Sequence, residues 1–352
     1  MPKVVVSFKV LKHFVYQIFE KSGSIDKNSS VCAEHLVDAN LCGVDTHGIW
    51  QVPGYLKDIE KKLLIPDAIP TIIRDLGSVA LVSGEWTFGQ VAAEYALREG
   101  IKRLNDIPIV LMGIVKCHHL GRVGYYTELA AKYNTIAILC GGGYGVGYPT
   151  TVPFGGREKF FNTNPLSTAF PTDDSRIMSD FATTEGANAK VKIASESGQD
   201  LPLGFGVDKD GNPTTDPNKI ISGGALLPFG GHKGYSIMVA VEILTRILMG
   251  ADSYSENGRG GSVYGHQGVF LLLIKPDIFR SIDSFFTDVK ELINQLHAVK
   301  PAPGFSEVLV PGDPEQRKRK ERRKNGIPIP DDVWNSLLEI ARNLDIESPI
   351  IS

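Results

Sequence analysis

Apolar residues fall at helical spacing at both ends of the chain and in short unbroken runs between them. Phe8, Leu11, Val15, Ile18 and Phe19 form the stripe of an amphipathic helix. A second helix is predicted from an N-cap at Ser29 or Ser30 to a C-cap at Gly43. A third, short one begins near Asp45 or Thr46, with Ile49, Val52, Leu56 and Ile59 on one face and Pro53 bending it. The middle changes character. Aliphatic runs at 79–83, 109–115, 136–140 and 269–274 are bounded by Gly, Pro or charge and read as buried strands. Helical patterns lie between them at 91–104, 123–133 and 236–249. The last, SIMVAVEILTRILM, is apolar on most faces and is expected to be deeply buried. In the tail, Phe285, Val289, Leu292, Ile293 and Leu296 mark one helix; Val333, Leu337, Leu338, Ala341 and Leu344 mark another.

This order predicts an α/β protein in three parts. Residues 1–75 are helical, 76–280 are an α/β unit, and 281–352 are helices that pack back on the first part, because each apolar face needs a partner. The length of 352 residues suits about two domains of roughly 150 residues each. Composition adds little: 42% hydrophobic and 22% charged excludes wholesale disorder.

Charge matters in one place. The net charge is -3, so the whole is not a basic nucleic-acid binder. The run Arg317-Lys-Arg-Lys-Glu-Arg-Arg-Lys324 alone contributes +6, leaving -9 elsewhere. The simplest reading is a solvated helix face between Pro314 and Gly326. The four cysteines, Cys32, Cys42, Cys117 and Cys140, make no C-x-x-C pair, and reduced thiols in a cytoplasmic protein are the expectation. No apolar run approaches the ~18 residues of a membrane span, and the N-terminus lacks a signal-peptide pattern.

Four stretches carry candidate chemistry. In Asp45-Thr-His-Gly-Ile-Trp-Gln51, a helix would put His47 and Gln51 on one face. That arrangement suits acid/base work on a polar substrate, although a helix-start cap is the simpler reading. Cys117-His-His-Leu-Gly121 follows a strand, where catalytic groups gather in α/β folds; no fourth ligand favours a metal there. Leu227-Pro-Phe-Gly-Gly-His-Lys-Gly-Tyr235 opens a helix. Its glycines let backbone N–H groups approach an anion, and Lys233 adds a charge. Asn162-Thr-Asn-Pro165 and Asp180-Phe-Ala-Thr-Thr184 place polar groups at strand ends, each by itself ordinary turn chemistry. No G-x-G-x-x-G follows a strand, so any dinucleotide is held outside the Rossmann frame.

Taken in order, Thr46-His-Gly48, Cys117-His-His-Leu-Gly121, Asn162-Thr-Asn-Pro165, Asp180-Phe-Ala-Thr183, Pro228-Phe-Gly-Gly-His-Lys-Gly234 and Val310-Pro-Gly312 resemble the type-2 malate/L-lactate dehydrogenase family over nearly the whole chain. The resemblance implies a non-Rossmann mixed-sheet NAD(P)-binding domain and a helical domain built from both chain ends. It implies reversible hydride transfer between nicotinamide, NAD or NADP, and a 2-hydroxy acid such as malate or lactate, with no metal. It also implies a homodimer with the site near the subunit interface. Carried over by motif, the acid/base is one of His47 and His119, with the choice between them open, and Gln51 and Asn164 adjoin the substrate. The cofactor contacts are Arg176, Ile177, Met178, Ser179, Asp180, Phe181, Ala182, His232, Lys233 and Gly312. The chain departs from the pattern twice: Gln51 stands where the family often has Arg, and Cys117 where it has Ser. Gln cannot supply the charge that binds a carboxylate. Three alternatives stay open: an NADPH-dependent reductase of a cyclic imino acid, a non-catalytic member of the family, which Gln51 allows, and, from the basic run, a nucleic-acid binder using residues 317–324.

Overall fold

The computed structural model describes residues 3–173 and 176–350, with the Arg176 side chain outside the described set. Seven strands form one mixed sheet, in the spatial order Thr71–Asp75, Val79–Ser83, Ile109–Val115, Gly268–Ile274, Ile136–Gly142, Leu166–Pro171, Arg176–Phe181. Val79–Ser83 runs parallel to Ile109–Val115, and the remaining neighbours are antiparallel. The long aliphatic run Gly268–Ile274 takes the central place. Leu271 faces Met112 on one side and Leu139 on the other, which is why nearly every residue of the run had to be apolar.

Helices Gly89–Arg103 and Gly124–Lys132 cover one face through small residues, Ala92, Ala93, Ala96 and Ala130, packed with the strands in one core. Helix His232–Glu242, continued by the π-helical turn Ile243–Ile247, covers the other face. It sits on sheet glycines: a Cβ on Gly142 would lie 2.3 Å from Thr245 Oγ1. The expectation that this helix is deeply buried holds for one side only. Met238, Val241 and Thr245 are buried, whereas Ile247 and Leu248 are 63% and 57% exposed. The sheet can satisfy one stripe, and nothing among the described residues covers Ile247 and Leu248 on the other.

Both chain ends build a second core. Leu11 and Phe14 of Phe8–Lys21, Leu36 of Asp26–Leu41, Tyr55 of Val52–Glu60, and Trp334 and Leu337 of Asp331–Asn343 share it. The strands Lys3–Val6 and Ile327–Pro330 pair antiparallel and tie the ends together. The pattern did not announce them; each is four residues long, and one carries two prolines, which an edge strand tolerates. Helix Ile282–His297 contributes no residue to this core and stays at the surface, unlike helix Asp331–Asn343.

Three local expectations change. The second helix begins at Asp26, ahead of Ser29, which is buried inside it. Pro53 stands in the first turn of Val52–Glu60 and starts that helix instead of bending it, because a first-turn residue has no N–H partner to lose. The basic run lies on helix Asp313–Asn325, but it is not simply a solvated face. Arg322 pairs with Asp45 at 2.6 Å, and Arg319 reaches Glu128 at 2.6 Å and Asp38 at 3.1 Å.

Candidate active site

Strand Ile109–Val115 delivers Cys117, His118 and His119 into a buried turn. Gln267 Nε2 holds that turn by donating to the carbonyls of Cys117 (3.2 Å) and His118 (3.0 Å) and to Cys117 Sγ (2.7 Å). Opposite it, two 3-10 turns, Asp45–His47 and Ile49–Gln51, run into helix Val52–Glu60. His47, Gln51 and Tyr55 therefore follow one another at four-residue steps.

The two nominated histidines meet: the rings of His47 and His119 lie 5.4 Å apart. Tyr55 Oη is 2.7 Å from His119 Nδ1, and Gln90 Nε2 donates to the same phenol oxygen at 2.7 Å. A phenol both donates and accepts, so it can partner Nδ1 whether or not that nitrogen carries hydrogen. Among the described residues Nε2 has no hydrogen-bond partner. His118 plays another part. It is buried, its Nε2 lies 3.1 Å from Asp58, and its ring packs on Tyr264 at 4.5 Å.

Burial sets the protonation of this cluster. It pushes the His47 pKa down to about 4, with the positive Arg122 adding to the effect. Burial, then His47 and His118, holds His119 well below the ordinary histidine value. Burial also lowers His118, against the opposing influence of Asp58. The Tyr55 phenol is raised well above its usual value by burial and stays protonated; the Cys117 thiol is pushed up to about 12.

A cleft of about 840 Å³ opens beside His47, lined by His47, Gln51, Lys159, Thr163, Lys192 and Tyr264 among others; His119 is not in that lining and packs behind His47 and Tyr264. Gln51 Nε2 donates to the Thr46 carbonyl at 2.8 Å. Asn164 is fully buried behind Thr163 and does not line the cleft. Its amide donates to Glu242 at 2.9 Å, while its Oδ1 has no partner among the described residues.

Residues 6–338 match the family model described as malate/L-lactate dehydrogenase. The chain belongs to that family. It is 31% identical over 348 residues to the malate/(S)-sulfolactate dehydrogenase of Methanothermus fervidus, covering 98% of this chain and 99% of the relative. The solved sulfolactate dehydrogenase of Methanocaldococcus jannaschii superposes with a TM-score of 0.89 at 31% identity, covering 97% of this chain and 98% of that one. The delta1-piperideine-2-carboxylate reductase of Pseudomonas syringae superposes at 0.83 with 30% identity, covering 96% and 99%. This member of the malate/L-lactate dehydrogenase family is thus a hydroxy-acid oxidoreductase acting on CH–OH groups, and the family implies a nicotinamide cofactor.

The dehydrogenase's motif-derived cofactor residues fall in two linked places outside the cleft lining. On the outer strand Arg176–Phe181, Met178 packs on Ala131 and Asp180 accepts from the Gly124 N–H at 2.8 Å, so both point toward helix Gly124–Lys132. Ile177, Ser179 and Phe181 alternate to the other face, where the Phe181 ring meets Phe229 at 5.8 Å. Ala182 follows directly. Met178 N–H donates to the Pro311 carbonyl at 3.0 Å, which seats Gly312, at φ +100°, against the same strand. Gly231, at φ +64°, leads into helix His232–Glu242, whose N-terminus has no side-chain cap. His232 and Lys233 are exposed there, and Lys233 has no ion pair among the described residues. Uncapped N–H groups beside a free ammonium fit the phosphate of a dinucleotide.

Sequence reasoning missed Tyr55, Gln90, Gln267 and Tyr264. Only Tyr55 left a signal, one more four-residue step beyond Gln51; the others arrive from distant segments. The group Asp38, Cys42 and Glu128 has metal-ligand proximity, but its members already bond to the guanidinium groups of Arg122 or Arg319.

Proposed function

We propose that the protein moves a hydride reversibly between C4 of NAD or NADP and C2 of a 2-hydroxy acid such as malate or lactate, with His119 as the acid/base. What carries this reading is a histidine whose Nδ1 is engaged by Tyr55 and whose Nε2 has no partner among the described residues. A bound nicotinamide supplies or takes the hydride. In reduction the imidazolium of His119 gives its Nε2 proton to the developing alkoxide, and the phenol of Tyr55 keeps Nδ1 partnered before and after. In oxidation the neutral ring takes the proton back. His47, at the cleft wall, holds the substrate oxygen beside His119. Asn164 supports the site from behind Thr163, and Gln51 borders the substrate. The dinucleotide runs along 176–182 to Gly312, with a phosphate at His232 and Lys233.

A second reading, reduction of a cyclic imine, is favoured by Gln51 in place of Arg and by the likeness to the piperideine-carboxylate reductase. Steady-state assays with pyruvate, oxaloacetate and a cyclic imino acid, each with NADH and NADPH, separate the two and fix the cofactor. Turnover of the imine alone would overturn the hydroxy-acid reading.

We also infer a cytoplasmic homodimer. Four buried free cysteines support the compartment, and the uncovered stripe of Ile243, Ile247 and Leu248 supports the assembly. Light scattering that gives one chain per particle would refute the dimer. Among the described residues no helix is long and apolar enough to cross a membrane.

A further inference from the structure

The substrate of a hydroxy-acid oxidoreductase is an anion at neutral pH, and its carboxylate adjoins the reacting carbon. Gln51 cannot offer a charge to it. Its amide nitrogen spends one hydrogen on the Thr46 carbonyl, which leaves a second, uncharged N–H and the oxygen to present. His47 cannot offer a charge either, because burial keeps its ring neutral at pH 7. Two further cations line the same cleft, Lys159 and Lys192. Lys192 lies 3.8 Å from Glu196, one helical turn away on helix Asn188–Ser197, and Glu196 lines the cleft as well. Lys159 has no ion pair among the described residues and is exposed. It stands four residues before Thr163, and both line the cleft together with Thr46, His47 and Gln51.

We propose that Lys159 binds the substrate carboxylate, taking over the charge that Gln51 lacks. This rests on the hydroxy-acid reading above and deepens it. An ammonium is a point charge on a flexible stem and holds a carboxylate through single contacts, so the site trades the rigid fork of an arginine for adaptability. Lys192, already beside a carboxylate, is the weaker candidate.

The test compares wild type with Lys159→Gln in two measurements. The first is steady-state reduction of pyruvate and oxaloacetate with saturating NADH or NADPH. The variant is expected to raise KM for the acid about 10- to 100-fold, the range of a charge-assisted contact. The cofactor KM should hold within about twofold and kcat should fall much less than KM rises. Adding Gln51→Arg to the variant should recover part of the loss. An unchanged KM overturns the proposal. The second is calorimetric titration with oxamate, an unreactive carboxylate mimic of pyruvate, in the presence of cofactor. Wild type should bind it at least about tenfold more tightly than the variant. Equal affinities, including no binding to either protein, overturn the proposal. If oxamate binding depends on Lys159 while no 2-oxo acid is turned over, the hydroxy-acid reading fails and the lysine contact stands.

Discussion

Only Leu120 and Gly121 separate His119 from Arg122, yet the two sit in opposite electrostatic settings. Around His119 burial leaves titratable rings neutral: His47, Tyr55 and Gln90 meet there without a formal charge. Around Arg122, 1% exposed at its side chain, burial has been met with opposite charges. Asp38 and Glu128 face Arg122 and Arg319, drawn from three separate stretches of chain. A neutral ring in a dry site can take up or release a proton. A guanidinium between two carboxylates has nowhere to send one, and its pKa is driven upward chiefly by Glu128, Cys42 and Asp38 against the cost of burial. The first cluster suits chemistry, the second suits holding. The two are also joined, since Arg122 is a charge that helps keep His47 neutral and its backbone N–H donates to His35 at 3.0 Å.

The contrast breaks most sharply under single substitutions. His119→Ala should lower kcat by about 10²- to 10⁴-fold, the range of general acid–base catalysis, with little change in melting temperature. Comparable loss of stability and activity would return His119 to a packing role. Arg122→Met should do the reverse. Removing one member of a buried, charge-paired group costs about 3–5 kcal/mol, because the remaining carboxylates are stranded. Urea unfolding should show that loss, while kcat of the folded enzyme changes less than about tenfold. Tyr55→Phe comes next. It removes the partner of His119 Nδ1 and keeps the ring packing, so a loss of about 1 kcal/mol in transition-state stabilisation, several-fold in kcat/KM, is expected.

The same contrast explains what the sequence disclosed. The buried strands were legible because a run such as Val269-Phe-Leu-Leu-Leu-Ile274 has few other ways to be satisfied. His47 and His119 were legible as ordered motifs, and their meeting was implied only by resemblance. The charged cluster was not legible. Arg319 read as part of a solvated basic run because nothing local distinguishes it from Lys320; only the approach of Asp38 and Glu128 does. Gln267 and Gln90 left no mark either, since their role lies in the backbone and phenol groups they happen to reach. The pattern at 236–249 misled in the other direction. Its all-round apolarity signals burial, but the sheet buries only one of its sides.

The smallest expected effect concerns pH. His47 has a folded-state pKa of about 4, below the 6.5 of an unperturbed histidine. Below about pH 6.5 the unfolded chain takes up a proton that the folded ring refuses. The contribution of His47 to stability is therefore fully present above pH 6.5 and is lost as pH falls toward 4. His35, His118 and His119, all lowered by burial, act in the same direction. Arg122 and Arg319 do not titrate in this window. Wild type should lose stability between pH 7 and 5, and His47→Gln, which has no proton to refuse, should lose less over the same interval. Urea midpoints at pH 7, 6 and 5 check this. Parallel lines for the two proteins would mean that His47 is protonated as readily in the fold as outside it, and the neutrality assigned to its cluster would fail. The activity should follow the same logic. A base kept neutral is ready for oxidation across neutral pH, whereas reduction, which needs the imidazolium, should speed up as pH falls from 8 to 6.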